Sequence, residues 1–153
     1  MTRLFKRQTC KACETPVDRP GRSLYCSCCT ETRTMYKSIV VNGRKTFSKK
    51  NKKNPIHLGM TRDELCRWRK TIGLKCFYCK IEQKELQFVG MKSQTQQKVK
   101  VLGIDRLDSS KGYEIDNIVP CCFVCNQVKS NRFTVQEMLI IGKTIGQIWS
   151  NRV

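Results

Sequence analysis

The sequence predicts an α+β protein assembled from small, cross-linked modules rather than around one large core. Three observations point there. Apolar residues make up only 39% of 153, low for a globular chain; there are 11 cysteines; and short apolar runs with turn signals alternate with helix-capping signatures. This length suits about one domain or two very small ones, and a core this lean needs staples.

The elements follow in order. Residues Cys10 to Thr30 are poor in apolar side chains and carry turn signals at Pro16, Pro20 and Gly21, so they form an irregular, stapled segment. Ser38 to Phe47 places two short apolar runs around Asn42-Gly43, a strong β-hairpin signal. A basic linker from Ser48 to Asn54 follows, and Pro55 and Gly59 mark a boundary. Thr61-Arg-Asp-Glu64 is a capping box that starts a helix over about 62–72, with Leu65, Trp68 and Ile72 on one face. Two short strands are expected near Val99–Asp105 and Asn117–Pro120. A helix should start near Cys125, and a second capping box, Thr134-Val-Gln-Glu137, opens another that reaches about Trp149. Met138, Ile141, Ile145 and Ile148 recur at helical spacing there, while Gly142 and Gly146 weaken the pattern. The expected division is 1–54 and 55–153.

Eight cysteines form four Cys-x-x-Cys pairs: Cys10/Cys13, Cys26/Cys29, Cys76/Cys79 and Cys122/Cys125. Two residues between thiols let both sulfurs face one ion, and two pairs complete a tetrahedron. The reading is two structural Zn²⁺ sites, the first in a zinc ribbon with its hairpin and the second enclosing the two strands. Redox chemistry is the minor alternative, because no thioredoxin-like βαβ pattern surrounds the pairs. Cys28 and Cys121 adjoin ligands and could replace them in a shifted register. Cys66 reads as a small buried hydrophobe.

The formal charge is +18, with net +11 over residues 1–53 and +7 over the rest. That balance points to a polyanion, above all nucleic acid, and argues against a secreted disulfide scaffold or an enzyme of acidic small molecules. No run reaches the roughly 18 apolar residues of a membrane span, and the first residues lack a secretory apolar block. The chain is therefore expected to be soluble and intracellular, in the cytoplasm of a bacterial or virus-infected cell or in a nucleus, with no membrane partner. Its oligomeric state is not legible.

Inside the second cysteine framework the residues run Gly103-Ile-Asp105-Arg106-Leu-Asp108, then Asn117, then Cys122-Phe-Val-Cys125-Asn126-Gln-Val-Lys129. From about Cys76 to Arg132 the chain resembles the HNH, or ββα-metal, endonucleases, and most closely their zinc-containing Asp-Arg-x-Asp branch in phages and large DNA viruses. The resemblance implies a C-terminal ββα-metal domain with flanking helices and a metal-dependent DNA endonuclease, homing enzymes included. It assigns a catalytic Mg²⁺ or Mn²⁺ to Asp105 and Asn126 and a structural role across the strand connection to Asn117. A hard cation with oxygen ligands suits phosphodiester hydrolysis, where charge builds on the phosphate and its leaving oxygen.

The residue after the metal-binding Asp is usually a proton-accepting His in this family, and here it is Arg106. A guanidinium cannot be that base. Arg106 and Lys129 are expected to offset phosphate charge, and Asp108 is the nearest candidate to accept the proton or help hold the metal. His57, the one histidine, reads as a surface residue. Each site residue also has a plainer reading: Asp105 as a turn cap, Asn117 as a turn residue, Asn126 as a helix N-cap.

Backbone contacts to nucleic acid are expected from Arg44, Lys45, Lys49, Lys50, Lys52 and Lys53, a stretch without an acid, and from Lys111, Lys129 and Arg132 nearer the metal. DNA is the leading partner, with branched DNA and RNA as variants. The reading from another class is a non-catalytic, zinc-dependent nucleic-acid-binding protein on a degenerate nuclease scaffold. Arg106 favours it, and the set Asp105, Asp108, Asn117 and Asn126 opposes it.

Overall fold

A computed structural model of the chain describes residues 8–17, 24–45 and 57–153, with side chains described through residue 41 of the second stretch. The chain divides into two compact units, Met1–Gly73 and Leu74–Val153.

In the first unit, Cys10 and Cys13 sit on a tight knuckle. The Cys10 amide donates to Thr15 O at 2.8 Å and the Glu14 amide to Cys10 O at 2.8 Å. Glu14 takes the left-handed conformation, φ 60°, which lets the chain turn back over the thiols. Cys26 and Cys29 lie at the start of α1 (Ser27–Lys45). The expected hairpin around Asn42-Gly43 is absent, because those residues are the last turns of α1. The costly step of helix formation is the first turn, and here that turn lies beside the thiols, with the Thr30 amide on Cys26 O at 2.9 Å. Propagation then carries the helix through the β-branched run Ile39-Val40-Val41 against its local preference.

The helix α2 (Arg62–Thr71) starts at the Thr61–Glu64 capping box as expected. It packs on α1, with Arg33 paired to Asp63 at 2.9 Å and the Tyr36 hydroxyl donating to Met60 O at 3.3 Å. That packing places α2 in the first unit and moves the division from the expected 54/55 to 73/74. Cys66 of α2 is fully buried against Cys10, Cys26 and Cys29, and burial pushes its thiol up to about 11. It is the small hydrophobe that the sequence suggested.

The second unit is a two-stranded antiparallel sheet with two helices. Strand β1 (Gly103–Arg106) pairs with β2 (Ile118–Cys121), setting Asp105 opposite Val119 and Arg106 opposite Ile118. The first strand is shorter than expected, beginning at Gly103 rather than Val99. Helix α3 (Phe123–Lys129) follows β2 directly, and α4 (Val135–Ser150) starts at the Thr134–Glu137 capping box. The core joins the four thiols to Tyr78, Leu86, Leu102, Val119, Met138 and Trp149.

The knuckle of the first unit recurs here. The Cys76 amide donates to Ile81 O at 2.9 Å, the Lys80 amide donates to Cys76 O at 3.0 Å, and Lys80 has φ 62°. The glycines that weakened the α4 pattern have a packing reason. A Cβ on Gly142 would lie 2.7 Å from Tyr78 Cβ, and one on Gly146 would lie 2.5 Å from Cys79 O. Four residues apart, they share one helix face, and that face lets α4 lie directly on the knuckle.

Candidate active site

Asp105 is the buried carboxylate of the second unit, 6% exposed on β1. Two donors converge on its Oδ2. The Tyr78 hydroxyl, from the cysteine knuckle, donates at 2.6 Å, and the Lys129 ammonium, from the end of α3, lies at 3.1 Å. Burial first, and then the Asp105 carboxylate, pushes the Tyr78 phenol well above its usual range, so it acts as a donor to Asp105. With Oδ2 engaged twice, Oδ1 is the oxygen left to a further ligand.

Lys129 also donates to Arg106 O at 2.7 Å and reaches Ser109 Oγ at 3.4 Å. The expectation that it contacts nucleic acid is corrected: its side chain is 1% exposed and its charge is engaged within the fold. Asn126 is half-buried on α3, three residues before Lys129. Residues at that spacing share a helix face, so Asn126 lies on the side of α3 that Lys129 presents to β1.

Asn117 is buried and bonds the backbone on both sides of its carboxamide. Its Oδ1 accepts from the Asp108 amide at 2.9 Å, and its Nδ2 donates to Asp108 O at 3.1 Å and Gly112 O at 2.9 Å. The carboxamide thereby closes the connection between β1 and β2. Asp108 caps this connection, its Oδ1 accepting from Ser110 N at 2.9 Å and Ser110 Oγ at 2.6 Å. Those donors hold the Asp108 carboxyl below its ordinary range, which makes it a poorer proton acceptor than its sequence position suggested.

Arg106 is partly exposed and tied back to the same connection. Its Nη1 donates to Lys111 O at 2.7 Å, and its guanidinium lies 5.2 Å from the centre of the Tyr113 ring. Lys111 and Arg132 are exposed, as is His57 in the first unit. Lys49, Lys50, Lys52 and Lys53, and the side chains of Arg44 and Lys45, lie outside the described residues.

The eight paired thiols gather into the two expected groups, Cys10/Cys13/Cys26/Cys29 and Cys76/Cys79/Cys122/Cys125, each with its sulfurs within 4.8 Å of one another. Around Zn²⁺ with bonds of about 2.3 Å, tetrahedral sulfurs stand about 3.8 Å apart. Cys13 and Cys26 are 3.8 Å apart, and Cys79 and Cys122 are 3.7 Å apart. In the second group the Cys122 amide donates to Cys76 Sγ at 3.3 Å and the Cys125 amide to Cys122 Sγ at 3.4 Å. Neighbouring thiols pull Cys76 far down and push Cys125 far up, since four buried sulfurs cannot all ionise without a cation. In the first group burial resists ionisation of Cys10, but amide donors from Cys26, Ala12 and Cys13 outweigh it and bring that thiol to about 6. Both donor sets could hold structural zinc. Cys121 directs its sulfur to Cys122 O at 3.4 Å, and neither it nor Cys28 belongs to a group.

No family model and no curated protein matches the chain. Among solved structures it is similar to the rare-cutting HNH restriction endonuclease PacI, which is described as perturbing DNA. The TM-score is 0.68 at 25% identity, over 95% of this chain and 97% of that one. The chain has the HNH endonuclease fold.

Within that fold, β1, β2 and α3 form the ββα unit, with a four-thiol group at its base. The resemblance seen in the sequence therefore holds at the level of structure. Two side chains of the centre were misjudged or missed. Tyr78, inside the Cys76–Cys79 pair, gave no signal beyond its position between two thiols, and the burial of Lys129 was hidden because a lone lysine on a basic chain reads as surface charge. No described helix is long and apolar enough to cross a membrane.

Proposed function

We propose that the protein is a metal-dependent DNA endonuclease of the HNH type, hydrolysing phosphodiester bonds at Asp105. The observation that carries this reading is the buried Asp105 carboxylate at the β1–α3 contact, held by Tyr78 and Lys129 in a fold shared with an HNH restriction endonuclease.

The donor chemistry fits a hard divalent cation: Asp105 keeps Oδ1, and Asn126 offers an amide oxygen from the same side of α3. Held by these two residues, Mg²⁺ or Mn²⁺ would supply Lewis-acid stabilisation of charge on the phosphate and its leaving oxygen. The protein's own residues do the rest. Tyr78 and Lys129 fix the carboxylate rotamer and Asn117 holds the β1–β2 connection, while Arg106, steadied by Lys111 O and the Tyr113 ring, offers a guanidinium to phosphate.

The test is a divalent-ion screen over duplex plasmid, branched DNA and RNA, with Asp105→Ala as control. Mg²⁺- or Mn²⁺-dependent cleavage of DNA that the variant lacks is expected. A long asymmetric target would extend the proposal to a homing role. Cleavage confined to RNA would overturn the choice of substrate, and equal nicking by both proteins would overturn the site.

One observation favours a second reading, a non-catalytic zinc-dependent DNA-binding protein. Arg106 stands where the family commonly has a proton-accepting His, and it cannot take a proton. Tight DNA binding without cleavage under every divalent ion would favour it.

A further inference from the structure

Between Glu85 and Asp105 the sequence has no acid, and the middle of that stretch forms a small hairpin on the second unit. Lys92 and Lys98 pair as an antiparallel bridge. The Ser93 amide donates to Gln97 O at 2.8 Å and the Val99 amide to Met91 O at 2.9 Å. Ser93 Oγ also accepts from the Gln97 amide at 3.3 Å, and Gln96 turns the tip with φ 61°. The base is anchored: Met91 is 3% exposed, Leu102 is sealed, and Val99 packs on the same core.

What this rigid base presents is polar and cationic. Lys92, Gln94, Gln96, Gln97, Lys98 and Lys100 are all exposed. One tip residue also fixes the hairpin's place, since Gln94 Nε2 donates to Gln127 Oε1 at 3.1 Å. Gln127 lies on α3, so the tip is tied to the helix that carries Asn126.

We propose that this hairpin is a DNA-reading element, with Lys92, Lys98 and Lys100 on backbone phosphates and Gln96 and Gln97 at base edges in a duplex groove. The proposal rests on the reading of the protein as a DNA endonuclease and deepens it. Lysines bind phosphate without regard to sequence, and primary amides donate and accept together, as base edges require. Two-stranded ribbons enter DNA grooves in other binding proteins. A pre-ordered tip adds little ordering cost to binding. A merely solvated face needs neither an acid-free stretch nor a contact to α3.

The test compares wild type with a triple variant, Lys92→Ala/Lys98→Ala/Lys100→Ala, and a double variant, Gln96→Ala/Gln97→Ala, which leaves the Gln94–Gln127 contact in place. Zinc content and circular dichroism establish that each variant is folded. Binding to duplex DNA is measured by fluorescence anisotropy across salt, and sequence preference by selection from a randomised duplex library. The lysine variant is expected to bind every duplex more weakly, with a log–log salt slope smaller by about 2 to 3. The glutamine variant is expected to keep the slope and to lose roughly 5- to 100-fold discrimination at one or more base positions. If wild type binds and selects DNA while both variants match it in slope and preference, the hairpin proposal is overturned and the endonuclease reading stands. If wild type binds no DNA at all, the endonuclease reading fails and takes this proposal with it. Loss of RNA binding alone in the variants would overturn the choice of duplex DNA.

Discussion

Lys129, the last residue of α3, holds its ammonium 3.1 Å from Oδ2 of Asp105 on β1, and the two side chains are 1% and 8% exposed. A buried pair of this kind joins helix to strand at the candidate metal site. It also receives the Tyr78 hydroxyl on the same oxygen, so three segments of the second unit meet at one carboxylate.

Removing only the lysine leaves that carboxylate buried without its partner. Lys129→Met is expected to lower unfolding stability by about 3 to 5 kcal/mol. Adding Asp105→Asn should recover a large part of the loss, because the orphaned charge disappears. Urea unfolding of the single and double variants checks the coupling, and additive losses would mean that the pair carries no energetic weight.

Gly142 and Gly146 invert the usual rule for helices. Alanine in a helix interior is normally favoured over glycine by about 1 kcal/mol. Here each added methyl would run into backbone or Cβ atoms of Tyr78 and Cys79, so Gly142→Ala and Gly146→Ala are each expected to destabilise by about 1 to 3 kcal/mol. Thermal unfolding checks the sign, and a rise in Tm would show that α4 does not lie on the knuckle.

Asn117→Asp keeps the shape of the side chain and reverses its chemistry. The replaced Nδ2 faces Asp108 O and Gly112 O, so an oxygen there would meet two carbonyls and lose both bonds. A loss of about 1 to 3 kcal/mol is expected. Faster amide exchange in the β1–β2 connection is expected with it, and unchanged exchange would contradict the bracing role.

Zinc should be inseparable from the fold. Metal analysis of protein purified without added zinc is expected to give close to two ions per chain, and Cys76→Ser should lose one of them together with the structure of the second unit. Retention of that structure by apo-protein under a strong chelator would contradict the reading of the thiol groups as staples.

The parts of this structure legible in the sequence are those set by local chemistry. The Thr61–Glu64 and Thr134–Glu137 boxes mark their helices because each bonding pattern spans three residues. The four Cys-x-x-Cys pairs mark the two thiol groups for a similar reason. Asn42-Gly43 misled because a local turn preference lost to the propagation of α1 and its packing on α2. The Tyr78–Asp105 and Lys129–Asp105 contacts join residues far apart in sequence, and no local pattern announces them. Gly142 and Gly146 were visible as letters but not as contacts, since their meaning lies in the Tyr78–Cys79 knuckle, far upstream in the sequence.

The central claim is that phosphodiester hydrolysis depends on the Asp105 carboxylate and a divalent cation. The most direct measurement is the time course of supercoiled plasmid cleavage by wild type and Asp105→Asn, with Mg²⁺, with Mn²⁺ and with a chelator, on preparations matched for zinc content. Divalent-dependent nicking or linearisation by wild type is expected, with a loss of at least about 100-fold in the variant at unchanged zinc. Cleavage by Asp105→Asn at the wild-type rate, or cleavage indifferent to divalent ions, would contradict the account.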